Sequence, residues 1–421
     1  MSTTTPLLAQ LTETAIRARR AARILTVSST EQKNAAITAI AEKLRKNTPR
    51  LLEANEQDIA AAKARGLSTA MIDRLRLTPE RMEAMAGGAM QVARLPDPVG
   101  VVLERWTRPN GLEIIKKSVP IGVIGIIYES RPNVTCDAAV LCLKAGNATI
   151  LRGGSEAFHS NTAIADTLEE ALAEAGLPGA VSFVPTTDRE AIPLLCSLDK
   201  YIDVMIPRGG HGLISTVVEH ARMPVIKHYN GICHVFVERN ANLKMAEEII
   251  VNAKCQRPGV CNAMETLLVD APVAAAFVPQ IAARLKKEGV EIRTDAETRK
   301  AYPELASPNN ADWDMEYLDL IMNLRVVEGV DAAIEHIEQH GSHHSDSIIT
   351  EDKAVAEKFL NAVDSAAVYW NASTRFTDGS EFGFGAEIGI GTGKLHARGP
   401  MGLRELTTYK YQIVGTGQVR K

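Results

Sequence analysis

The chain has 421 residues, 45% hydrophobic and 23% charged, with a formal net charge of −4 at pH 7. Neither sign of charge forms a long block, which excludes the basic face that nucleic acid or an anionic membrane requires and leaves small-molecule chemistry as the expectation. The length supports a large core and roughly two or three domains.

The start, Met1-Ser-Thr-Thr-Thr-Pro-Leu-Leu-Ala-Gln10, has no basic stretch followed by an apolar one, so no secretory signal is expected. The longest apolar run, from Val119 to Ile127, is too short for a membrane span. Six scattered cysteines form no disulfide framework, and a cytoplasmic protein with free thiols is expected.

The first ~95 residues read as helices. Ser29 with Gln32 resembles a capping box, Ile37, Ile40, Ala41 and Leu44 recur at helical spacing, and Thr78-Pro79 reads as a cap followed by proline at the first helical position. Trp106 to Lys116 then reads as a hairpin turning at Asn110-Gly111. With the strand-like tail Tyr409 to Val414, it suggests an oligomerisation arm and a homo-oligomer, dimer or tetramer.

From Pro120 short apolar runs alternate with amphipathic helices. Strands are predicted at Gly122 to Ile127, Ala148 to Leu151, Val181 to Val184 and Ile202 to Ile206, with helices near Pro132 to Ala145, Asn161 to Ala175 and Gly210 to His220. A second alternating region has strands at His234 to Glu238, Thr266 to Asp270 and Ser347 to Thr350. The expected class is α/β, with two doubly wound parallel-sheet domains facing a cleft and a small β arm.

Two strand-to-helix loops carry Arg-Gly-Gly: Arg152-Gly153-Gly154-Ser155 and Arg208-Gly209-Gly210-His211. Glycine lets the backbone approach a phosphate, a helix N-terminus favours negative charge, and arginine can fork onto phosphate oxygens. Tight turns alone would also use glycine, but two such loops in one half of the chain favour a dinucleotide, with Arg152 placed for the 2′-phosphate of NADP. The Gly-x-Gly-x-x-Gly fingerprint is absent from the strand ends, and Gly389-Ile-Gly-Thr-Gly-Lys394-Leu395 fails as a kinase-type phosphate loop because Ile388 replaces the leading glycine and Leu395 the magnesium-binding hydroxyl.

The stretch Asn252-Ala-Lys-Cys255-Gln-Arg257-Pro-Gly259-Val-Cys261-Asn262 offers two thiols, one of them a nucleophile. Cys255 follows an amphipathic run, where a helix C-terminus opposes a thiolate; Cys261 lies beyond the Pro-Gly break, on a turn before a strand. Cys136, Cys142, Cys196 and Cys233 read as core. His336, His340, His343 and His344 have helical spacing in part, but no Cys or acidic residue stands at metal-ligand spacing, and no metal is expected.

Pro120-Ile-Gly-Val-Ile-Gly125, Arg131-Pro132, Lys144-Ala-Gly-Asn147 and Pro258-Gly259-Val-Cys261-Asn-Ala-Met-Glu265 resemble the aldehyde dehydrogenase superfamily. Tyr128-Glu-Ser-Arg-Pro-Asn-Val-Thr135, Gln256-Arg-Pro, Gly341-Ser-His-His-Ser-Asp346, Asn371-Ala-Ser-Thr-Arg375-Phe and Lys394-Leu-His-Ala-Arg-Gly-Pro-Met-Gly402 resemble its γ-glutamyl phosphate reductase family. The likeness runs over nearly the whole chain.

That resemblance implies a cofactor domain at 1–105 and 118–230, with part of 380–404 returning to it, a catalytic domain at 231–379, and an arm at 106–117 and 405–421. It implies NADPH-dependent reduction of L-glutamyl 5-phosphate to glutamate 5-semialdehyde through a Cys261 thioester, a step of proline biosynthesis, and possible contact with the glutamate kinase that makes the substrate. Arg131 aligns with the oxyanion-hole residue and Glu316 with the carboxylate that holds the nicotinamide ribose. Arg257, Asn262, His396 and Arg398 are the substrate candidates. Hydrolytic members carry Glu-Leu-Gly-Gly where this chain has His228-Tyr229-Asn230-Gly231. Without that carboxylate base, water should attack a thioester slowly. The alternatives are a hydrolytic or other acylating aldehyde dehydrogenase, a cofactor-free Cys hydrolase or acyltransferase needing a histidine base near Cys261, and a catalytically silent nucleotide-binding or scaffold protein.

Overall fold

A computed structural model describes residues 5–129, 131–305, 307 and 309–420. Met1 to Thr4, and Ser130 of the Tyr128–Thr135 motif, lie outside the described residues. The chain divides into two units, Met1–Lys227 with Gly383–Gly389 and Met401–Lys421, and His228–Phe382 with Ile390–Pro400.

The first unit opens with the helices Pro6–Leu25, Thr30–Lys46, Thr48–Ala64, Thr69–Leu75 and Pro79–Arg94. Their starts follow side-chain chemistry: the hydroxyls of Ser29 and Thr78 accept from the Gln32 and Arg81 N–H groups, satisfying donors that a helix leaves open. Ile37, Ile40, Ala41 and Leu44 are fully buried. Behind them lies a parallel four-stranded sheet in the order Val181–Phe183, Ala148–Arg152, Val123–Tyr128, Val204–Arg208. Two residues of the quoted Lys144–Asn147 motif act as internal braces. The buried Lys144 ammonium donates to Asn34 Oδ1 and Ala93 O, and Asn147 accepts from Gly122 N while donating to Leu406 O.

Three strands of the same unit, Val102–Thr107, Glu113–Pro120 and Thr407–Val414, form an antiparallel sheet with Glu113–Pro120 in the middle. Asn110 and Gly111 lie in its turn, which is longer than a two-residue hairpin and closes through Gly111 N to Arg108 O. Trp106 meets Tyr411 edge-on at 6.2 Å, and Tyr409, Ile413 and Val414 remain exposed.

The second unit holds a six-stranded parallel sheet in the order Ala367–Trp370, Ser345–Ile349, Cys233–Val237, Met264–Asp270, Ile321–Val327, Glu291–Thr294. Three of these strands carry no sequence expectation. Ile321–Val327 is interrupted by Asn323 and Arg325, so no apolar run marks it; the buried Asn323 amide is satisfied by Asp312 O and by the Tyr317 hydroxyl. Among the described residues no helix is long and apolar enough to cross a membrane.

Candidate active site

The helix Leu243–Cys255 and the strand Met264–Asp270 flank the Cys261 loop, and a buried Lys254–Glu265 pair at 2.8 Å ties the helix end to the strand start. Burial pushes the Glu265 carboxyl up, with Lys254 opposing. The helix does end at Cys255, whose thiol is raised by burial and then by Glu288. Cys255 lines a cavity of about 470 Å³ together with Glu247, Glu248, Glu288 and Arg284, which pairs with Glu247 and Glu288.

Cys261 sits half-buried on the loop, and Gly231 packs directly against its backbone: a β-carbon on Gly231 would stand 1.8 Å from Cys261 O. Gly231 N in turn donates to Glu316 Oε1 at 2.9 Å. Burial raises the Glu316 carboxyl, opposed by that N–H and by Lys254. Glu316 is therefore wired to the backbone that packs against the Cys261 loop.

Two imidazoles join Cys261. One nitrogen of His228, one of His344 and the Cys261 sulfur all lie within 4.8 Å of one another. His228 Nδ1 is 2.8 Å from Ile390 O. A carbonyl only accepts, so Nδ1 carries a proton and donates to it. His344 is completely buried, with Nδ1 2.9 Å from Ser345 Oγ and Nε2 without a hydrogen-bond partner among the described residues. Burial, then His228, pushes its pKa down to about 3, so the ring is neutral at physiological pH. The sequence registered His228 as the loss of a carboxylate and His344 as part of a histidine cluster; their meeting at Cys261 depends on two strands far apart in the chain.

The anion-binding candidates separate. Arg257 is exposed; the Arg375 guanidinium is depressed first by burial, then by Arg257, and feels Cys261. Arg375 Nε donates to Gln256 Oε1 at 2.8 Å and its Nη1 to Asn262 Oδ1. Arg375 belongs to the Asn371–Phe376 motif, which assigns it no role, and no other sequence signal marks it. Asn262 is 4% exposed and donates to Thr377 O, which makes it a brace of the loop in this structure. Arg398 is engaged by Asp364 through Oδ1 and the main-chain carbonyl at 2.7 and 2.8 Å. His396 is exposed and has a positive φ of 64°. Arg131 is exposed, just before the helix Asn133–Lys144.

In the first unit the two Arg-Gly-Gly loops differ. Arg152 is 6% exposed, donates to Thr187 O and Asp188 O, and keeps a buried Nε with no partner among the described residues. A cavity of about 140 Å³ opens beside this loop, lined by Arg65, Ser155, Glu156, His159 and Thr187 among others. Gly153 packs against Asn161, and a β-carbon there would meet its amide nitrogen at 2.1 Å. Asp58 accepts from His159 N and Ser160 N, so the helix start beyond the loop is already capped. At the second loop Gly210 N donates to Glu129 Oε2 at 2.9 Å and Arg208 Nη1 to Ile388 O. The first loop keeps one guanidinium N–H without a partner among the described residues and has a cavity beside it, while the donors named at the second have internal partners.

The aldehyde dehydrogenase family model matches residues 8–323. A γ-glutamyl phosphate reductase of Paramagnetospirillum magneticum is 54% identical over 421 residues, covering 100% of both chains. One from Carboxydothermus hydrogenoformans is 58% identical over 405 residues, covering 96% of this chain and 98% of that one. The chain belongs to the γ-glutamyl phosphate reductase family. A crystal structure of the Thermotoga maritima γ-glutamyl phosphate reductase agrees with a TM-score of 0.96 at 49% identity, over 98% of this chain and 100% of that chain. The α/β, aldehyde-dehydrogenase-like class expected from sequence is therefore the observed one, and the chain is an oxidoreductase of this family. In this member Cys261, rather than Cys255, is the thiol beside two imidazoles and within reach of the Arg257–Arg375 charge.

Proposed function

We propose that the chain reduces L-glutamyl 5-phosphate to L-glutamate 5-semialdehyde and phosphate with NADPH, through a thioester on Cys261, as a step in making proline from glutamate. The observation that carries this reading is the convergence of two imidazoles on Cys261, with the Arg375 guanidinium acting on the same thiol and on Arg257, in a chain whose close relatives carry that reductase name.

His228 Nε2 takes the thiol proton, and the thiolate attacks the acyl carbon. The Cys261 N–H donates to the oxyanion. Collapse breaks the carbon–oxygen bond to phosphate, whose charge Arg257 and Arg375 offset, and leaves the acyl group on sulfur. A nicotinamide dinucleotide held by Arg152, Gly153, Gly154 and Ser155 supplies the hydride when bound. The reduced adduct then expels the Cys261 thiolate and releases the aldehyde. We place the dinucleotide's phosphate at the Arg152 loop rather than the Arg208 loop, because Arg152 Nε lacks a partner among the described residues and a cavity lies beside Ser155. Assembly through the exposed three-stranded sheet, a cytoplasmic setting and contact with a glutamate kinase complete the reading.

A second reading, hydrolysis of the thioester, draws support from the imidazoles beside Cys261, since a histidine can activate water. The two part in the reverse direction. NADP reduction by semialdehyde should require inorganic phosphate; a rate independent of phosphate would replace the reductase with a hydrolytic dehydrogenase.

A further inference from the structure

We propose that Cys261, His228 and His344 form a binding site for a soft divalent cation of the zinc class, and that the bound cation reversibly blocks the thiol. The sequence expectation of no metal rested on the spacing of His336, His340, His343 and His344; only the last belongs to this set, and its partners come from positions 228 and 261.

The donor chemistry selects the ion. One thiolate and two imidazoles suit Zn²⁺ or Co²⁺, whereas Mg²⁺ and Ca²⁺ demand oxygen ligands. Three protein ligands with a fourth position open is the pattern of an accessible zinc site rather than a closed structural one. A tetrahedral ion with bonds of about 2.3 Å to sulfur and about 2.0 Å to nitrogen holds its ligand atoms roughly 3.3–3.6 Å apart. The three present atoms are nowhere separated by more than 4.8 Å, so rotations of side-chain torsions close the set.

Outer contacts support the same geometry. His228 is oriented by Nδ1–H to Ile390 O, the carbonyl partner that metal-bound histidines commonly keep. His344 is held through Nδ1 by Ser345 Oγ, and Cys233 Sγ donates to Cys261 O at 3.2 Å, fixing the loop from behind. The buried His344 Nε2 lacks a partner among the described residues, an unsatisfied group that a cation would satisfy. The local field is mixed: Asp346 and Glu265 act on the adjoining Cys233, while Arg375 acts on Cys261 with the opposite sign. Binding exchanges the thiol proton for a metal–sulfur bond, releasing one H⁺ with no change of oxidation state. Occupancy removes the sulfur lone pair needed for acyl attack; this blocking step rests on the proposed role of Cys261, whereas binding does not.

Co²⁺ titrated into the chelator-treated full-length protein is the direct probe. The expected result is one Co²⁺ per chain with a thiolate-to-cobalt charge-transfer band and tetrahedral visible bands. Cys261→Ser should abolish the charge-transfer band, Cys255→Ser should leave it, and His344→Asn should weaken binding by about tenfold or more. A band that survives Cys261→Ser, or an affinity indifferent to His344→Asn, overturns the site. Because His344 is buried and its variant could misfold, the wild type supplies a second readout: Zn²⁺ should protect Cys261, but not Cys255, from alkylation mapped by mass spectrometry, and unprotected Cys261 at saturating Zn²⁺ sinks the proposal. Turnover should be lost as the site fills and return with chelator. Cobalt or zinc bound at Cys261 with turnover intact would refute the blocking step and the nucleophile reading, leaving the cation site standing.

Discussion

Gly231 stands so close to Cys261 that a β-carbon at 231 would lie 1.8 Å from Cys261 O and 2.5 Å from its Cα. The contact is backbone against backbone, so no rotamer change relieves it. Gly231→Ala must therefore displace the Cys261 loop. A displacement of about 1 Å at reacting groups costs roughly 100-fold in rate. Steady-state kcat should fall by about that factor while circular dichroism stays native; an unchanged kcat would mean that the Cys261 position does not control the chemistry.

The two loop thiols should behave oppositely. Cys261→Ala is expected to lower kcat by about 10⁴-fold or more, the scale at which removal of a nucleophile is felt in other enzymes. Cys255→Ala should leave it within about twofold, since burial raises that thiol and it stands outside the imidazole group. Parallel losses in both variants would point to loop damage instead of lost nucleophilicity.

Arg257 is exposed, whereas Arg375 is tied to Gln256 and Asn262. Arg257→Ala should raise KM for the acyl phosphate, and for phosphate in reverse, by about tenfold, the loss of one charge-assisted bond. Its melting temperature should stay put. Salt should raise the wild-type KM more than that of the variant, because exposed charge is screened; equal salt dependence in both would remove Arg257 from the substrate's path.

The Lys254–Glu265 pair is fully buried, so its halves cannot be removed singly without stranding a charge. Lys254→Met should destabilise the fold by about 3–5 kcal/mol in denaturant unfolding. The double variant Lys254→Met/Glu265→Leu should recover much of that loss. If the single and double variants are equally unstable, packing rather than charge is what the pair contributes.

His344 ties stability to pH. Its folded pKa is lowered from 6.5 to about 3, so between these values the unfolded chain binds more protons and stability falls as pH falls. Asp137, raised by burial to about 6, contributes the opposite slope, so the wild-type curve alone does not isolate the histidine. The difference between wild type and His344→Gln does: constant above pH 7, it should shift against the wild type by about 1.4 kcal/mol per pH unit below about 6.5. A pH-independent difference would show that the ring protonates freely in the fold.

Legibility in the sequence followed locality. Ser29 and Thr78 announced helix starts because caps act within one turn, and the parallel strands of the first unit showed as apolar runs because both faces are covered. Ile321–Val327 was hidden because Asn323 and Arg325 break its pattern, although the sheet satisfies Asn323 through Asp312 and Tyr317. The Arg208 loop looked like a phosphate cradle until Glu129, distant in sequence, took the Gly210 N–H.

By itself the sequence determined the family, through long motifs spread along the chain, and the α/β class, through the periodicity of short apolar runs and amphipathic helices. It also singled out Cys261 over Cys255 as the candidate thiol, through helix polarity, the Pro-Gly break and the family loop pattern. Only the tertiary structure decided what surrounds that thiol. His228 and His344 stand over a hundred positions apart in sequence and meet near the starts of the paired strands Cys233–Val237 and Ser345–Ile349, while Gly231 is set against Cys261 where Cys233–Val237 pairs on its other side with Met264–Asp270. Parallel pairing brings together residues that no local spacing rule relates, and burial then sets the protonation of the imidazole it encloses.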